Sequence, residues 1–307
     1  MKIDELIEKI NLLKNPICVG IDPLIEIVPG FILKNNTKEY GKNIKAITES
    51  FFDFAKLIIN TIFDIVPVVK LNIAFFESYG FEGIRVYQKI ASYAKEKGLV
   101  VIGDIKRGDI SSTAKAYATH IKGIDIFGKK DKIYREDFIT LNPYLGIDSL
   151  EPFLGGEEGV FILVKTSNKG SSDFQDIMAV NDIGNKKKNL MLCEIVAEKI
   201  SKLGERYVGK YGFSNIGAVA GATHKEAGKK LRKLMPKTFF LIPGFGVQGG
   251  RVEDLRGFFN EDGSGGIVNS SRGIIGKLKE ANSNKEVMNI IRTRCKKMKE
   301  ELQKLST

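Results

Sequence analysis

Short runs of apolar, mostly β-branched residues recur along the chain. They are Ile17–Ile21, Pro67–Leu71, Leu99–Gly103, Phe138–Leu141, Val160–Val164, Ile216–Ala220, Phe239–Ile242 and Gly266–Asn269. They run continuously instead of alternating with polar residues, which marks strands buried on both faces, as in a parallel sheet. Each is followed by turn residues, and amphipathic stretches of helical period lie between them, such as Ile44–Ile65, Gly83–Lys97, Ile110–His120, Leu190–Lys202 and Lys225–Leu234. Eight strands alternating with helices predict an α/β protein of the (β/α)8 TIM-barrel class. A doubly wound open sheet is the alternative. The opening residues MKIDELIEKINLLKNP read as a short amphipathic helix, and a further helix is expected at the C-terminal end. No Pro/Gly/Ser-rich linker and no internal repeat divides the chain. A single domain over residues 1–307 is therefore expected, with insertions near 28–43, 122–136 and 168–189.

Composition narrows the class. The chain has 307 residues, of which 43% are hydrophobic and 28% charged, ordinary values for a folded soluble protein. No window of about 18 uncharged apolar residues is present, so no membrane span is expected. The N-terminal stretch lacks the apolar core and cleavage site of a signal peptide. Cys18, Cys193 and Cys295 form no CxxC pair, which argues for the reducing cytoplasm and against a disulfide framework or a zinc site. Lys and Arg number 48 against 37 Asp and Glu, a net charge of +11. These charges are interleaved with acids, and the one tight run is Lys186–Lys187–Lys188. Solvated surface lysines account for most of the excess. A remainder points to an anionic partner as small as a phosphorylated metabolite.

In a barrel the chemistry sits at the C-terminal ends of the strands. The predicted strands end in Asp22, in Lys70 and Asn72, in Asp104, Lys106 and Asp109, in Thr166, Ser167 and Asn168, and in Asn269, Ser270, Ser271 and Arg272. Gly103-Asp-Ile-Lys-Arg-Gly-Asp-Ile110 is the densest of these. Asp104 and Lys106 are two apart on a strand, so their side chains point the same way. Asp109 is expected to open the next helix, sharing a face with Thr113. Such an array sets fixed charge in place before a substrate arrives. An exposed salt-bridge cluster is the equally simple alternative on spacing alone. A metal site is weaker, since Lys106 and Arg107 stand where a cation would compete. Pro243-Gly-Phe-Gly-Val-Gln-Gly-Gly250 holds a formal G-x-G-x-x-G. It lies too late in the chain for a dinucleotide fold and fits better a phosphate site after the seventh strand, with Arg272 as a clamp. Two Gly-rich turns are the bland alternative. His224 is read as structural, and no G-x-S-x-G supports a serine hydrolase. Phe51, Phe52, Phe54, Phe63, Phe75 and Phe76 are read as core or interface.

Taken in order, these motifs resemble the orotidine 5′-phosphate decarboxylase family, in its longer branch. The resemblance rests on Val19-Gly-Ile-Asp-Pro23, Val69-Lys-Leu-Asn72, Asp104-Ile-Lys-Arg-Gly-Asp-Ile110 with Thr113, Leu141-Asn-Pro-Tyr-Leu-Gly146, Lys165-Thr-Ser-Asn168, Gly221-Ala-Thr-His224, Pro243–Gly250 and Ser271-Arg272. Ile105 stands where the family usually has Ala, and Lys169 where Pro is common. The resemblance implies roles residue by residue. Asp22 would bond the ribose hydroxyls, and Lys70 and Asn72 would position the ribose and the neighbouring charges. Asp104 would face the substrate carboxylate, and Lys106 would protonate C6. Asp109 and Thr113 would reach the other subunit's site in a homodimer. Ser167 would meet the pyrimidine edge, while Gln248, Gly249, Gly250 and Arg272 would hold the 5′-phosphate. No metal or cofactor would be needed, and neither nucleic acid nor membrane would be a partner. Loss of CO2 from C6 leaves an in-plane carbanion that no π-system relieves, so a fixed cation is required, and Lys106 fits. The rivals are a Mg2+-dependent sugar-phosphate decarboxylase or aldolase of the wider superfamily and a basic RNA-binding protein. A fused phosphoribosyltransferase is not expected, since these 307 residues leave no room for that domain.

Overall fold

The computed structural model describes residues 1–183, 186–245 and 252–305. Eight parallel strands close into a barrel: β1 (Ile17–Ile21), β2 (Val68–Asn72), β3 (Val100–Arg107), β4 (Phe138–Leu141), β5 (Gly159–Lys165), β6 (Ser214–Ala220), β7 (Thr238–Pro243) and β8 (Gly266–Ser270). Each strand pairs with its neighbours in sequence, and β1 closes the ring on β8 with Cys18 beside Asn269. All eight predicted strands are present, displaced at their ends by a few residues. The largest extension is β3, which runs on through Asp104 and Lys106 to Arg107.

The strands are buried throughout because one face meets helices and the other fills the barrel. Val19, Val69, Val101, Ile139 and Ile162 pack outward against the helices. Cys18, Val68, Val100, Ile102, Phe138, Phe161, Phe239, Leu241 and Ile267 fill the interior. The N-terminal helix Lys2–Leu13 presses Ile3, Leu6 and Ile7, spaced at i, i+3 and i+4, onto that inner cluster and plugs the base of the barrel. Its position is set by the Ile3 amide, which donates to Asn215 Oδ1 at 3.1 Å. The C-terminal helix Asn284–Gln303 starts at Ser283, whose hydroxyl accepts from the Glu286 amide. It lies against the helix Ile44–Ile62, and Arg292 pairs with Asp64 through two bonds of 2.9 and 2.6 Å.

The three longer connections carry structure of their own. The first contains the helix Gly30–Tyr40. The second contains an exposed hairpin, Ile124–Ile126 with Lys129–Asp131. The third contains the short helix Ser172–Gln175 and a hairpin, Met178–Ile183 with Lys186–Met191. Neither hairpin shows in the pattern of apolar runs, because the exposed Ile124, Ile126, Met178 and Val180 bury little. Of the six phenylalanines, Phe51, Phe54 and Phe76 are core and Phe52 and Phe75 are partly buried, while Phe63 stays 43% exposed. Among the described residues no helix is long and apolar enough to cross a membrane.

Candidate active site

Strand alternation carries the barrel interior into the site. In β2 the inward positions read Val68, Lys70, Asn72, and in β3 Val100, Ile102, Asp104. In β4 they read Phe138 then Thr140, and in β8 Ile267 then Asn269. Apolar residues thus fill the lower layers and polar ones the top layer, on a period of two. Asp22, Lys70, Asn72, Asp104, Lys106, Ser167 and Arg272 all line one cavity of about 550 Å3 at the C-terminal end of the barrel.

Asp104 is the hub of its charges. Its Oδ2 accepts from Lys70 Nζ at 2.8 Å. Its Oδ1 accepts from Lys106 Nζ at 2.5 Å and from the Thr140 hydroxyl at 2.9 Å. Asp22 lies 3.7 Å from the same Lys70 ammonium. Burial alone would raise the Asp104 carboxyl, but the Lys70 ammonium and then Lys106 outweigh it and hold the group well below the usual carboxylate range. Burial likewise opposes the charge on Lys70, yet Asp104 and Asp22 keep its ammonium protonated far into the alkaline range. The two lysines differ in access. The Lys70 side chain is 6% exposed and that of Lys106 is 48% exposed, so one is a fixed charge and the other faces the cavity.

Asp104 and Lys106 meet as expected, but simple alternation is not the reason. Gly103 pairs with Ile139 and Arg107 with Leu141, so β3 carries two more residues than β4 across the same interval. This irregularity re-aims the side chains, as bulges beside active sites do. Lys106 takes φ +46°, a left-handed conformation that costs a non-glycine residue of the order of 1 kcal/mol or more. Thr140 holds it there, accepting from the Lys106 amide at 2.9 Å while donating to Asp104. Sequence reasoning missed Thr140, which reads as one more β-branched strand residue in Phe138–Leu141. Its only signal was its inward parity with Phe138.

The other expected residues divide. Asn72 Oδ1 accepts from the Ala74 amide at 3.2 Å. Ser167 stands on a turn after β5 packed tightly on Gly221, where an added Cβ would lie 2.7 Å from Ser167 N and Cα. Arg272 opens the short helix Arg272–Ile275 after β8. Ser271, just before it, approaches β1 so closely that a Cβ at Gly20 would overlap its hydroxyl. Contrary to the expectation from sequence, Asp109 does not open the following helix. That helix is Ser111–Lys122, its cap position is Ile110, and Asp109 Oδ1 accepts from the Ile110 amide at 2.8 Å. The shared helical face of Asp109 and Thr113 therefore does not form, and neither residue lines the cavity. Gln248, Gly249 and Gly250 lie outside the described residues, although Gly244 lines the cavity with φ +96°. His224 is tied to the chain beside it: its Nε2 lies 3.1 Å from the Thr166 carbonyl, which can only accept. Burial, with Lys165 adding to it, pushes the His224 imidazole below its ordinary value. Asn269 Oδ1 and Asp22 Oδ1 are buried beside the cavity without a hydrogen bond among the described residues.

A closed parallel barrel with a buried lysine–aspartate pair and an accessible second lysine at the top of its strands is the framework of a (β/α)8-barrel enzyme. Residues 15–287 match the orotidine 5′-phosphate decarboxylase / HUMPS family, and the chain belongs to it. An orotidine 5′-phosphate decarboxylase of Clostridium kluyveri is 40% identical over 312 residues, spanning 100% of this chain and 98% of that one. One of Caldicellulosiruptor bescii is 43% identical over 277 residues, 89% of this chain and 88% of that one. Among solved structures, the Leishmania donovani OMP decarboxylase superposes with a TM-score of 0.71 at 29% identity, covering 99% of this chain and 98% of that one.

Proposed function

We propose that this protein decarboxylates orotidine 5′-monophosphate to UMP and CO2 in pyrimidine biosynthesis. The observation that carries the reading is Asp104, buried and charged, with Lys70 on one carboxylate oxygen and Lys106 on the other. The substrate carboxylate sits beside Asp104, whose negative charge disfavours the ground state. The C6–carboxylate bond breaks, CO2 leaves, and the electron pair stays on C6. The Lys106 ammonium stabilises that carbanion and then gives it a proton, forming the C6–H bond of UMP. Lys70 cannot turn away, because it is buried between Asp104 and Asp22, so the field at C6 is set before the substrate binds. Asp22 and Asn72 take the ribose, Ser167 the pyrimidine edge, and Gln248, Gly249, Gly250 and Arg272 the 5′-phosphate. Phosphate binding is remote from C6, so its energy can be used for closure and orientation.

The reaction so drawn needs no metal or cofactor. Both Asp104 oxygens already accept from ammonium groups, a donor set that suits a carbanion better than Mg2+. Residues 1–307 are read as one domain, supported by the N-terminal helix that plugs the barrel base. The working form is a homodimer. Asp109 and the exposed Thr113 lie off this protomer's cavity, beside exposed Ile110, which supports their reaching a second copy's site. The buried unpaired thiols Cys18, Cys193 and Cys295 support a cytoplasmic location. The test is a spectroscopic turnover assay with orotidine 5′-monophosphate on wild type and Lys106→Ala. Turnover by wild type and near-complete loss in the variant are expected. Full activity in Lys106→Ala would sink the mechanism.

A further inference from the structure

The end of β5 is gripped from both sides by one short segment. Gln175, the last residue of the helix Ser172–Gln175, turns both ends of its amide to Thr166. Its Oε1 accepts from the Thr166 N–H at 2.9 Å, and its Nε2 donates to Thr166 Oγ1 at 2.9 Å. The Thr166 hydroxyl donates in turn to Asn168 Oδ1 at 2.7 Å, and the Thr166 carbonyl faces His224 Nε2. The next residue, Asp176, pairs at 2.7 Å with the ammonium of Lys165, which is 1% exposed. Consecutive residues 175 and 176 thus hold consecutive residues 166 and 165.

Between those two grips the turn has little freedom. The Ser167 carbonyl accepts from Thr223 Oγ1 at 3.2 Å, and Gly221 packs beneath its backbone. We infer that Gln175 is a positioning residue for the base-binding end of the cavity, acting through Thr166 to fix where Ser167 meets the pyrimidine. This rests on the proposed reading of Ser167 as the base contact. The amide is chemically required. Thr166 offers an N–H that needs an acceptor and a hydroxyl oxygen that, having given its hydrogen to Asn168, needs a donor. Glutamine supplies both, glutamate only the acceptor, and methionine neither.

The test compares wild type, Gln175→Met, Gln175→Glu, Thr166→Val and the Gln175→Met/Thr166→Val double variant. Each is assayed with orotidine 5′-monophosphate and with orotidine, which lacks the phosphate, and thermal midpoints confirm folding. Gln175→Met should lower kcat/KM about tenfold or more, by the same factor on both substrates, because the defect lies at the base and not at the phosphate. Gln175→Glu should fall between it and wild type. The double variant should be no worse than Gln175→Met, as expected when two residues act through one contact. A Gln175→Met value within twofold of wild type would overturn the proposal, and so would a loss confined to the phosphorylated substrate or additive losses in the double variant. Failure of wild type to turn over orotidine 5′-monophosphate would instead overturn the proposed function.

Discussion

Replacing Lys70 by Met removes the one cation that, among the described residues, touches both Asp104 and Asp22, while keeping most of the side-chain volume. In the folded protein Lys70 is 5% exposed and Asp104 8%, so neither can turn to water for compensation. Stripping one partner from a buried ion pair costs about 3–5 kcal/mol, and the lower end applies here because Asp104 keeps Lys106 and Thr140. For a chain of this size that corresponds to a drop in Tm on the order of 10 °C. The pH dependence gives a sharper check. In wild type the Asp104 carboxyl titrates below its unfolded value of 3.8, so its stabilisation is complete above that pH and is lost as pH falls through the folded value. Lys70 titrates above its unfolded value of 10.5, so its share is complete below that pH and lost only as pH rises through the folded value. In Lys70→Met, burial acts on Asp104 with less opposition and its folded value rises. Urea unfolding of both proteins between pH 7 and pH 3.5 should therefore show the full gap near neutrality and a smaller gap in acid. Adding Asp104→Asn to Lys70→Met should recover part of the loss, because it removes one of the two carboxylates that then share the single ammonium of Lys106. A gap below about 1 kcal/mol at pH 7, or one constant with pH, would refute the assignment of Lys70 as the buried counter-ion.

Arg272→Ala should raise KM far more than it lowers kcat, with partial rescue by free guanidinium, and absence of any KM effect would remove it from the phosphate site. Inactive Asp109→Ala and inactive Lys106→Ala protomers, mixed under conditions of subunit exchange, should regain some turnover, since a mixed dimer can hold one intact site. No recovery despite proven exchange would count against shared sites. Gly221→Ala places a methyl within 2.7 Å of the Ser167 backbone, so it should weaken binding of UMP, measured by calorimetry, while leaving far-UV circular dichroism unchanged.

The order of the eight strands was legible because each, buried on both faces, stands out as an apolar run between turn residues. Most of the site was legible for a related reason. A Lys, Asp or Asn that keeps the inward phase of an apolar strand at its C-terminal end has nowhere to face but the barrel mouth, as with Lys70, Asp104 and Asn269. Asp109 was misread because a carboxylate before a helix looks like a cap, and the chain spends one more residue, Ile110, before the helix begins.

Other features were settled only by the folded chain. The Asp104–Lys106 contact depends on an irregular β3–β4 register and a left-handed residue, which are set by hydrogen bonding across strands and not by the local string. Thr140 and Gln175 are ordinary residues whose partners lie on other segments, Thr140 reaching β3 and Gln175 folding back on β5. The division of labour between Lys70 and Lys106 is likewise tertiary. Both are strand-end lysines in sequence, and only packing buries the first and leaves the second open. Sequence alone fixed which chemical groups stand at the barrel mouth, because strand periodicity is local. Tertiary structure decided which of them touch, because contact depends on register and burial between segments far apart in the chain.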